Sequence, residues 1–311
     1  MDERLDATNG VTTPVDTVAE SGGPRALHFS ALARSRWRTA FLLSPPLLWF
    51  LVIYISSLIL MLITSFWSVN SFTQTIDHHL TGSNFAQITS GAYLSIIERT
   101  VLLAALVTIT DAIVAFPFAY VMARVATRRS QRILLGAVLL PLWASYLAKV
   151  FAWISILEKG GALNWTFSKL GLPDPNLGFT NGAMWIAFCY IWLPYMIVPI
   201  YGSLERIPST LLDASADLGG SSWATFRRVI LPLALPGLLA GSIFTFSLTL
   251  GDYVTPLLIG GSNSTLIGNA IYENLLTGGN LPLAAALSTI PIAVMIVYLT
   301  IARRLGAFEA L

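Results

Sequence analysis

The residues of this sequence that best suit solute chemistry are two carboxylates set inside apolar runs. Asp111 lies in LVTITDAIVAFPFAY, and Asp252 lies in SLTLGDYVTPLLIGG. A charged group at the centre of a bilayer costs about 2.5–3.5 kcal/mol on insertion scales, so such residues usually face a bundle interior or a cavity. Asp111 is therefore either a cation-attracting group in a translocation cavity or a structural aspartate that is protonated or paired with Thr108 or Thr110. The sequence favours neither interpretation.

Asp252 is followed by Tyr253, and we expect Gly251 and Pro256 to loosen the helix around this pair. A carboxylate beside an aromatic ring at such a break could bind an ammonium group through its charge and a cation–π contact. The alternative is an interfacial aspartate next to a tyrosine of the aromatic belt. The sequence supports these two interpretations equally.

Two aromatic residues of another apolar run, Trp143 and Tyr146, are further candidates for a solute pathway, although aromatic residues in such runs more often pack than bind. No Ser/His/Asp or Cys/His set can be assembled for catalysis. The single cysteine, Cys189, and the three histidines lack the spacing of a metal site. No glycine loop ending in Lys-Ser/Thr is present, so the chain is not expected to bind ATP by that device. A membrane-embedded enzyme is therefore the least favoured function class.

The composition excludes an ordinary soluble enzyme. Of the 311 residues, 55% are apolar and 11% are charged, and the mean hydropathy is +0.71, whereas soluble domains carry about 25% charged residues. Six apolar runs reach the roughly 20 residues that a helix needs to cross a bilayer. We place these spans at residues 41–64, 99–122, 132–157, 181–203, 236–258 and 283–304. Because the runs are continuously apolar rather than alternating, strands are not expected, and the predicted fold class is an all-α, polytopic membrane bundle of six transmembrane helices.

The spans divide the chain into a disordered N-terminal tail at residues 1–35, a membrane domain at residues 36–305 and a C-terminal tail at residues 306–311. The membrane domain contains a polar loop at residues 204–235. Arginines cluster before span 1, in the second and fourth loops and after span 6, whereas the opposite loops hold only three basic residues, which are Arg99, Lys159 and Lys169. Short loops rich in Lys and Arg face the cytoplasm, so both termini and the polar loop are predicted to be cytoplasmic. The arginine clusters are explained by topology, and no nucleic-acid partner is expected.

The polar loop has a pattern of its own, LLDASADLGGSSWATFRRVILPLALP, at residues 211–236. Ser209 is expected to cap a short helix, and Gly219 with the glycine after it to end that helix in a left-handed turn. One of the two serines that follow can cap a second helix, in which Trp223 and Phe226 share a face. Two short helices with an aromatic base, standing off the membrane, suit the docking of another protein.

This loop resembles the cytoplasmic EAA signature of bacterial ABC importer permeases. That signature runs Glu-Ala-Ala, three residues, Gly, and then an aromatic residue and Leu-Pro. The matching residues here are Asp213, Ala214, Ser215, Gly219, Phe226 and Pro232. Asp replaces the Glu and Ser replaces the second Ala, and both changes keep the acid and the small residue. The position of the loop before the fifth span also fits.

The resemblance covers roughly residues 35–305 and implies the type I ABC importer permease fold in a bacterial cytoplasmic (inner) membrane. It implies a non-catalytic subunit that pairs with a second permease as a heterodimer, within membrane lipid. Two ATP-binding subunits would dock from the cytoplasm, and an extracytoplasmic substrate-binding protein would deliver the solute. The helix at about residues 209–219 would be the coupling helix, and Phe226 and Pro232 would brace it. This chain would bind no cofactor, since ATP and Mg would be held by the ATPase.

Three segments, GDYVTPLLIGG, LIGNAIY and NLPLAAALS, further resemble the spermidine/putrescine branch of these permeases, on the side of its first permease subunit. This resemblance, together with the acids within the spans, favours a polyamine as cargo. Related branches carry iron, phosphonates or opines, and these solutes are alternatives. An ion-coupled secondary transporter with the same spans is the alternative from another class.

Overall fold

The computed structural model describes residues 27–70 and 72–304, with side chains described from residue 41 onward. Most of the predicted N-terminal tail and all of the predicted C-terminal tail, residues 306–311, lie outside the described residues. The first helix begins at Leu27, inside the range that we assign to the N-terminal tail. The chain divides into two compact units between Ser57 and Leu58, and the packing described below is within the second unit.

The described residues are mainly helical. The α-helices are α1 (Leu27–Thr64), α2 (Ser83–Ile88), α3 (Gly91–Tyr120), α4 (Arg128–Trp143), α5 (Tyr146–Leu157), α6 (Ala162–Lys169), α7 (Asn181–Arg206), α8 (Ser209–Asp217), α9 (Ser222–Thr225), α10 (Leu231–Gly251), α11 (Val254–Ile259), α12 (Ile267–Tyr272) and α13 (Leu281–Arg304). π-Helical turns follow α3, α9 and α12, at Val121–Val125, Phe226–Ile230 and Glu273–Thr277. One short antiparallel pair joins β1 (Ser68–Val69) to β2 (Ile76–Asp77), with Ser68 opposite Asp77.

The predicted all-α membrane bundle is confirmed. By length and composition, five helical stretches in the described residues can cross a bilayer, and a bent pair supplies a sixth. The five stretches are Phe41–Thr64, Gly91–Val125, Asn181–Arg206, Ser222–Gly251 and Leu281–Arg304.

The third predicted span, residues 132–157, is not continuous. It is broken into Arg128–Trp143 and Tyr146–Lys169, which meet at 94°. Pro141 removes one helical donor near the end of α4, and the extended backbone of Ala144 and Ser145 then ends the helix. The apolar run did not predict this bend, because it indicates the environment of the chain and not its direction.

The fifth span is shifted relative to the predicted residues 236–258. A continuous helical stretch runs over Ser222–Gly251, because Pro232 falls near the start of α10 and Pro236 is accommodated within it. At the other end, Asp252 is extended (φ −76°, ψ 131°) and breaks the helix before α11. Asp252 and Tyr253 therefore lie in the break and not inside a span helix, since an aspartate side chain competes for nearby backbone donors.

The bundle is built on the mutual packing of α3, α7 and α10. Glycines on α10 bring it close to α7: a Cβ at Gly237 would lie 2.4 Å from the Pro199 carbonyl oxygen, and one at Gly241 would lie 3.0 Å from that of Met196. Small residues at such contacts allow membrane helices to approach each other. The spacing of α7 and α10 therefore depends on these two glycines.

We expect Gly237→Ala to destabilise the protein by about 1–3 kcal/mol, because its methyl group would overlap the α7 backbone. The matched control is Gly136→Ala on α4, where a Cβ meets nothing within 4 Å and helix propensity alone predicts a gain of up to about 1 kcal/mol. Thermal unfolding in the same detergent compares the two variants. An equal effect of both substitutions would contradict the close α7–α10 contact.

Candidate functional site

The two helix breaks meet at the carboxylate of Asp252. Its Oδ1 accepts hydrogen bonds from the backbone N–H groups of Val254 (2.8 Å) and Thr255 (3.4 Å). Its Oδ2 accepts from the hydroxyl of Thr255 at 2.8 Å and from the hydroxyl of Tyr146, and these two hydroxyl oxygens lie 2.6 Å apart. The side chain of Tyr146, at the start of α5, is thus joined to the start of α11. We call Tyr146, Asp252 and Thr255 the break node.

Aromatic rings surround the break node. The ring of Tyr146 stacks on that of Trp192, with centroids 5.9 Å apart, and the buried indole Nε1 of Trp192 has no hydrogen-bond partner among the described residues. Tyr253 stacks on Tyr272 at 4.7 Å. Its carbonyl oxygen accepts a hydrogen bond from the Asn269 side chain at 2.9 Å. The node therefore combines a carboxylate with several π faces.

The predicted pathway residues divide between positions at the node and positions away from it. Tyr146 and Asp252 are brought together, and Tyr253 follows directly with 40% of its surface exposed. Trp143 lies on the far side of the break, at the end of α4, and is 91% exposed. Sequence reasoning missed Thr255, although its place three residues after Asp252 is the spacing of a helix-start hydrogen bond.

Asp111 lies elsewhere, on the buried face of α3, with 1% of its surface exposed. The thiol of Cys189 on α7 interacts with this carboxyl group, but neither carboxylate oxygen has a partner at hydrogen-bond geometry in the described part of the chain. Thr108 and Thr110 instead donate to the backbone carbonyls of Ala104 (2.7 Å) and Leu106 (2.8 Å). Pairing of Asp111 with these threonines is thus not observed.

The polar loop contains two short helices, as predicted, but its first cap differs. The cap position of α8 is Pro208, and Ser209 is already the first helical residue. Ser209 makes no capping hydrogen bond because the proline, with φ −63° and ψ 140°, supplies the non-helical backbone of the cap. The left-handed turn is confirmed at Gly219 (φ +75°), whose N–H donates to the Ala216 carbonyl at 2.8 Å.

The signature residues Ser215 and Phe226 tie α8 and α9 to the bundle. The hydroxyls of Ser215 and Thr225 lie 2.8 Å apart and form a hydrogen bond between the two helices. The ring of Phe226 stacks on Trp223 at 5.5 Å and contacts Phe116 of α3 edge-on at 5.7 Å. The serine that replaces the second alanine of the signature thus has a contact of its own.

The other signature residues lie at the surface. Asp213, Ala214 and Gly219 are exposed on or directly after α8, and Pro232 is exposed near the start of α10. Next to them, Leu218 is 89% exposed and Trp223 is 68% exposed. An exposed face that combines an acid, small residues and large apolar side chains suits a protein partner.

Comparison with known proteins identifies relatives over most of the chain. Residues 115–307 match the family described as binding-protein-dependent transport system inner membrane component. The chain is 44% identical over 283 residues to the inner membrane ABC transporter permease protein YdcU of Escherichia coli (strain K12), covering 87% of this chain and 90% of that protein. It is 31% identical over 207 residues to the spermidine/putrescine transport system permease protein PotB of the same strain, covering 66% and 75%.

Two solved structures share the fold. A chain of a bacterial alginate ABC transporter in complex with an alginate pentasaccharide-bound periplasmic protein aligns with a TM-score of 0.72 at 16% identity, covering 88% of this chain and 95% of that one. A chain of the MetNI methionine ABC transporter in an inward-facing conformation aligns with a TM-score of 0.53 at 16% identity, covering 68% and 93%. At this level of identity the likeness concerns the fold alone.

We expect Tyr146→Phe to destabilise the protein by about 1–3 kcal/mol, because the part-buried Asp252 carboxylate loses a hydroxyl donor. Tyr190→Phe is the control, since Tyr190 is 43% exposed and packs through its ring on Trp153. Chemical or thermal unfolding of both variants in detergent measures the difference. A Tyr146→Phe variant as stable as Tyr190→Phe would show that the node does not hold the two breaks together.

Proposed function

Because the chain belongs to the family of binding-protein-dependent transport system inner membrane components, we propose that it forms, with a second permease, the path of an ATP-driven importer for a polyamine such as spermidine or putrescine. The chain is a permease subunit of an ABC importer, and membership of this family favours that class over an ion-coupled transporter. The polyamine assignment is supported by the likeness to PotB, a spermidine/putrescine permease, and by the acid and aromatic residues of the break node.

In the proposed assembly, two ATP-binding subunits dock on α8 from the cytoplasm and hold ATP and Mg²⁺, while this chain binds no cofactor. A substrate-binding protein delivers the solute on the opposite side. The arginine-rich loops favour a cytoplasmic position for both termini and α8. The exposed signature residues Asp213, Ala214 and Gly219 would then contact the ATPase.

Closure of the ATPase pair on ATP would move α8 and shift the bundle from inward-open to outward-open. A nearly complete switch between two such states needs about 5.5 kcal/mol of differential binding. Two residues would transmit this movement. Ser215 joins α8 to α9 through Thr225, and Phe226 contacts Phe116 of α3. In this scheme the permease contributes shape and contacts, and the partner supplies the free energy.

The observation that carries the polyamine proposal is the position of Asp252, a carboxylate where two broken helices meet among aromatic rings. Broken membrane helices form the solute sites of many transporters. A ligand ammonium group can replace the Tyr146 and Thr255 hydroxyls at Oδ2, while Oδ1 keeps its two backbone donors. The half-exposed ring of Tyr253 offers the adjacent cation–π face. Asp111, buried against α7, would join the path only where α3 and α7 separate.

We expect Asp252→Asn to raise the KM for spermidine uptake by roughly tenfold to a hundredfold, because one charge-assisted contact of about 1.5–3 kcal/mol is lost. The assay is uptake of radiolabelled spermidine by proteoliposomes that contain the complete transporter. Asp174→Asn is the control, because Asp174 also accepts a backbone hydrogen bond, from Asn176 at 2.9 Å, but lies in the loop between α6 and α7.

An unchanged KM in Asp252→Asn would remove Asp252 from the cation path. If the wild-type transporter takes up no spermidine or putrescine, the polyamine assignment fails. The same vesicles would then be tested with iron, phosphonate and opine solutes, while the permease assignment stands on the family.

We expect Gly219→Val to lower spermidine uptake per ATP hydrolysed while leaving membrane insertion intact. A β-branched residue at φ +75° is strained, so the end of α8 would be displaced from the ATPase. The matched control is Gly171→Val, which has similar strain at φ +68° in the loop after α6. Uptake and phosphate release measured on the same vesicles give the ratio, and equal losses in both variants would refute a coupling role for α8.

A further inference from the structure

The last turn of α7 has backbone carbonyl groups that lack their usual helical donor four residues on. For the Leu204 carbonyl that donor would be the N–H of residue 208, but that residue is Pro208 and has no N–H. Pro208 also keeps Ile207 in an extended conformation (φ −68°, ψ 119°). The Leu204 carbonyl keeps only the Ile207 N–H as a backbone donor, at 3.3 Å, and it lies with the Ile207 carbonyl at the point from which α8 begins.

Arg124 supplies the missing donors from another helix. Its Nη2 donates to the carbonyl oxygens of both Leu204 and Ile207, each at 2.6 Å. The guanidinium also places a positive charge at the carboxyl end of α7, where the helix dipole favours a cation. Arg124 thus fastens the root of α8, residues 207–208, to the π-helical turn Val121–Val125 at the end of α3.

The contact is part-buried and has unused hydrogen-bonding capacity. Nε of Arg124 is buried and has no hydrogen-bond partner among the described residues, so the guanidinium retains a donor for another arrangement of carbonyl groups. The neighbouring ion pair between Arg128 and Glu205 is of a different kind. It measures 3.9 Å between largely exposed side chains, and such pairs contribute little. Arg124 is therefore the main polar link between α3 and the root of α8.

The other end of α3 is joined to the segment that packs against the break node. The Thr100 hydroxyl accepts a hydrogen bond from the Ile267 N–H at 3.0 Å, and Arg99 donates to the carbonyls of Asn263 and, at 3.5 Å, Thr265. Directly after this segment, a Cβ at Gly268 would lie 2.6 Å from the Asp252 carbonyl oxygen. If α3 moved along its axis, residues 263–268 would move with it, and Gly268 of this segment lies against the backbone of Asp252.

We propose that Arg124 is a positioning residue that transmits movement of α8 through α3 to residues 263–268 and the break node. This inference rests on the proposed role of α8 as the coupling helix. Arg124 touches neither ATP nor solute. It acts by making the root of α8 and the end of α3 move together.

The test uses the complete transporter in proteoliposomes, with spermidine as the probe, and measures uptake and ATP hydrolysis on the same vesicles. We expect Arg124→Gln to lower the uptake per ATP by about tenfold, within the range of measured allosteric coupling factors, while basal ATP hydrolysis persists. Arg124→Lys keeps a cation near both carbonyls and should recover part of the ratio. Arg129→Gln, which removes an exposed arginine of the following helix α4, should leave the ratio unchanged.

A double variant separates transmission from simple stabilisation. Pro208→Ala restores the N–H that is the ordinary helical donor to the Leu204 carbonyl, so Arg124→Gln/Pro208→Ala should regain part of the thermal stability lost in Arg124→Gln without regaining coupling. Recovery of both properties would reduce Arg124 to a structural role and overturn the proposal. Uptake and ATP hydrolysis that fall in equal proportion in Arg124→Gln would overturn it as well.

A fluorescence measurement that needs no transported solute tests the role of Arg124 separately from the polyamine assignment. A fluorophore on exposed Asn263→Cys, in a Cys189→Ala background, should respond to ATP in the assembled transporter. The response should persist with Arg129→Gln and disappear with Arg124→Gln. If the wild type responds to ATP but takes up no spermidine, the polyamine assignment fails and the role of Arg124 stands. A response that survives Arg124→Gln contradicts that role.

Discussion

Every backbone polar group within a bilayer needs a partner inside the protein, because lipid offers none. Continuous helices meet this constraint by themselves, but this chain interrupts its helices at several points, and side chains pair with the backbone at three of the helix ends that the structure describes. Asn84 donates to the carbonyls of Ser65 (2.9 Å) and Trp67 (2.8 Å) just after α1. Arg124 satisfies carbonyls at the end of α7, and Asp252 accepts from the N–H groups at the start of α11. These three side chains therefore lie where the backbone departs from a helix, whereas Asp111 lies within the continuous helix α3.

This arrangement links local chemistry to movement. A straight packed helix can move only as a body, whereas a break held by one side chain has an alternative when that side chain changes partners. Both side chains can change partners in this way. Arg124 can donate to other carbonyl groups, and the Asp252 carboxylate can accept from an ammonium group in place of a hydroxyl. The close contacts at Gly237 and Gly241 are not exchangeable. The bundle thus contains a rigid contact between α7 and α10 and adjustable contacts at the ends of helices.

Much of the architecture follows from the sequence because it depends on local composition. Apolar runs locate the spans, and the glycine pair after α8 predicts the left-handed backbone of Gly219. The 94° bend at Ala144–Ser145 could not be predicted, because its direction depends on what α5 packs against. The three-residue spacing between Asp252 and Thr255 indicates the local hydrogen bonds of Asp252. It does not indicate the contact with Tyr146. Arg124 contacts Leu204 and Ile207, which lie 80 and 83 positions further along the chain, so no local signal predicts the contact. Pro208 shows only that the Leu204 carbonyl loses its usual helical donor.

The two departures of this loop from the family signature have different physical consequences. Aspartate for glutamate shortens an exposed acid by one methylene at Asp213, so its reach toward a partner changes while its charge does not. Serine for alanine at Ser215 adds a hydroxyl that binds Thr225 across the turn. The second change joins α8 to α9 at the same turn where Gly220 packs, with a Cβ position 2.7 Å from the Ser215 carbonyl oxygen. In this protein α8 and α9 are therefore joined at the turn, and the contact of Phe226 with Phe116 connects the residue directly after α9 to α3.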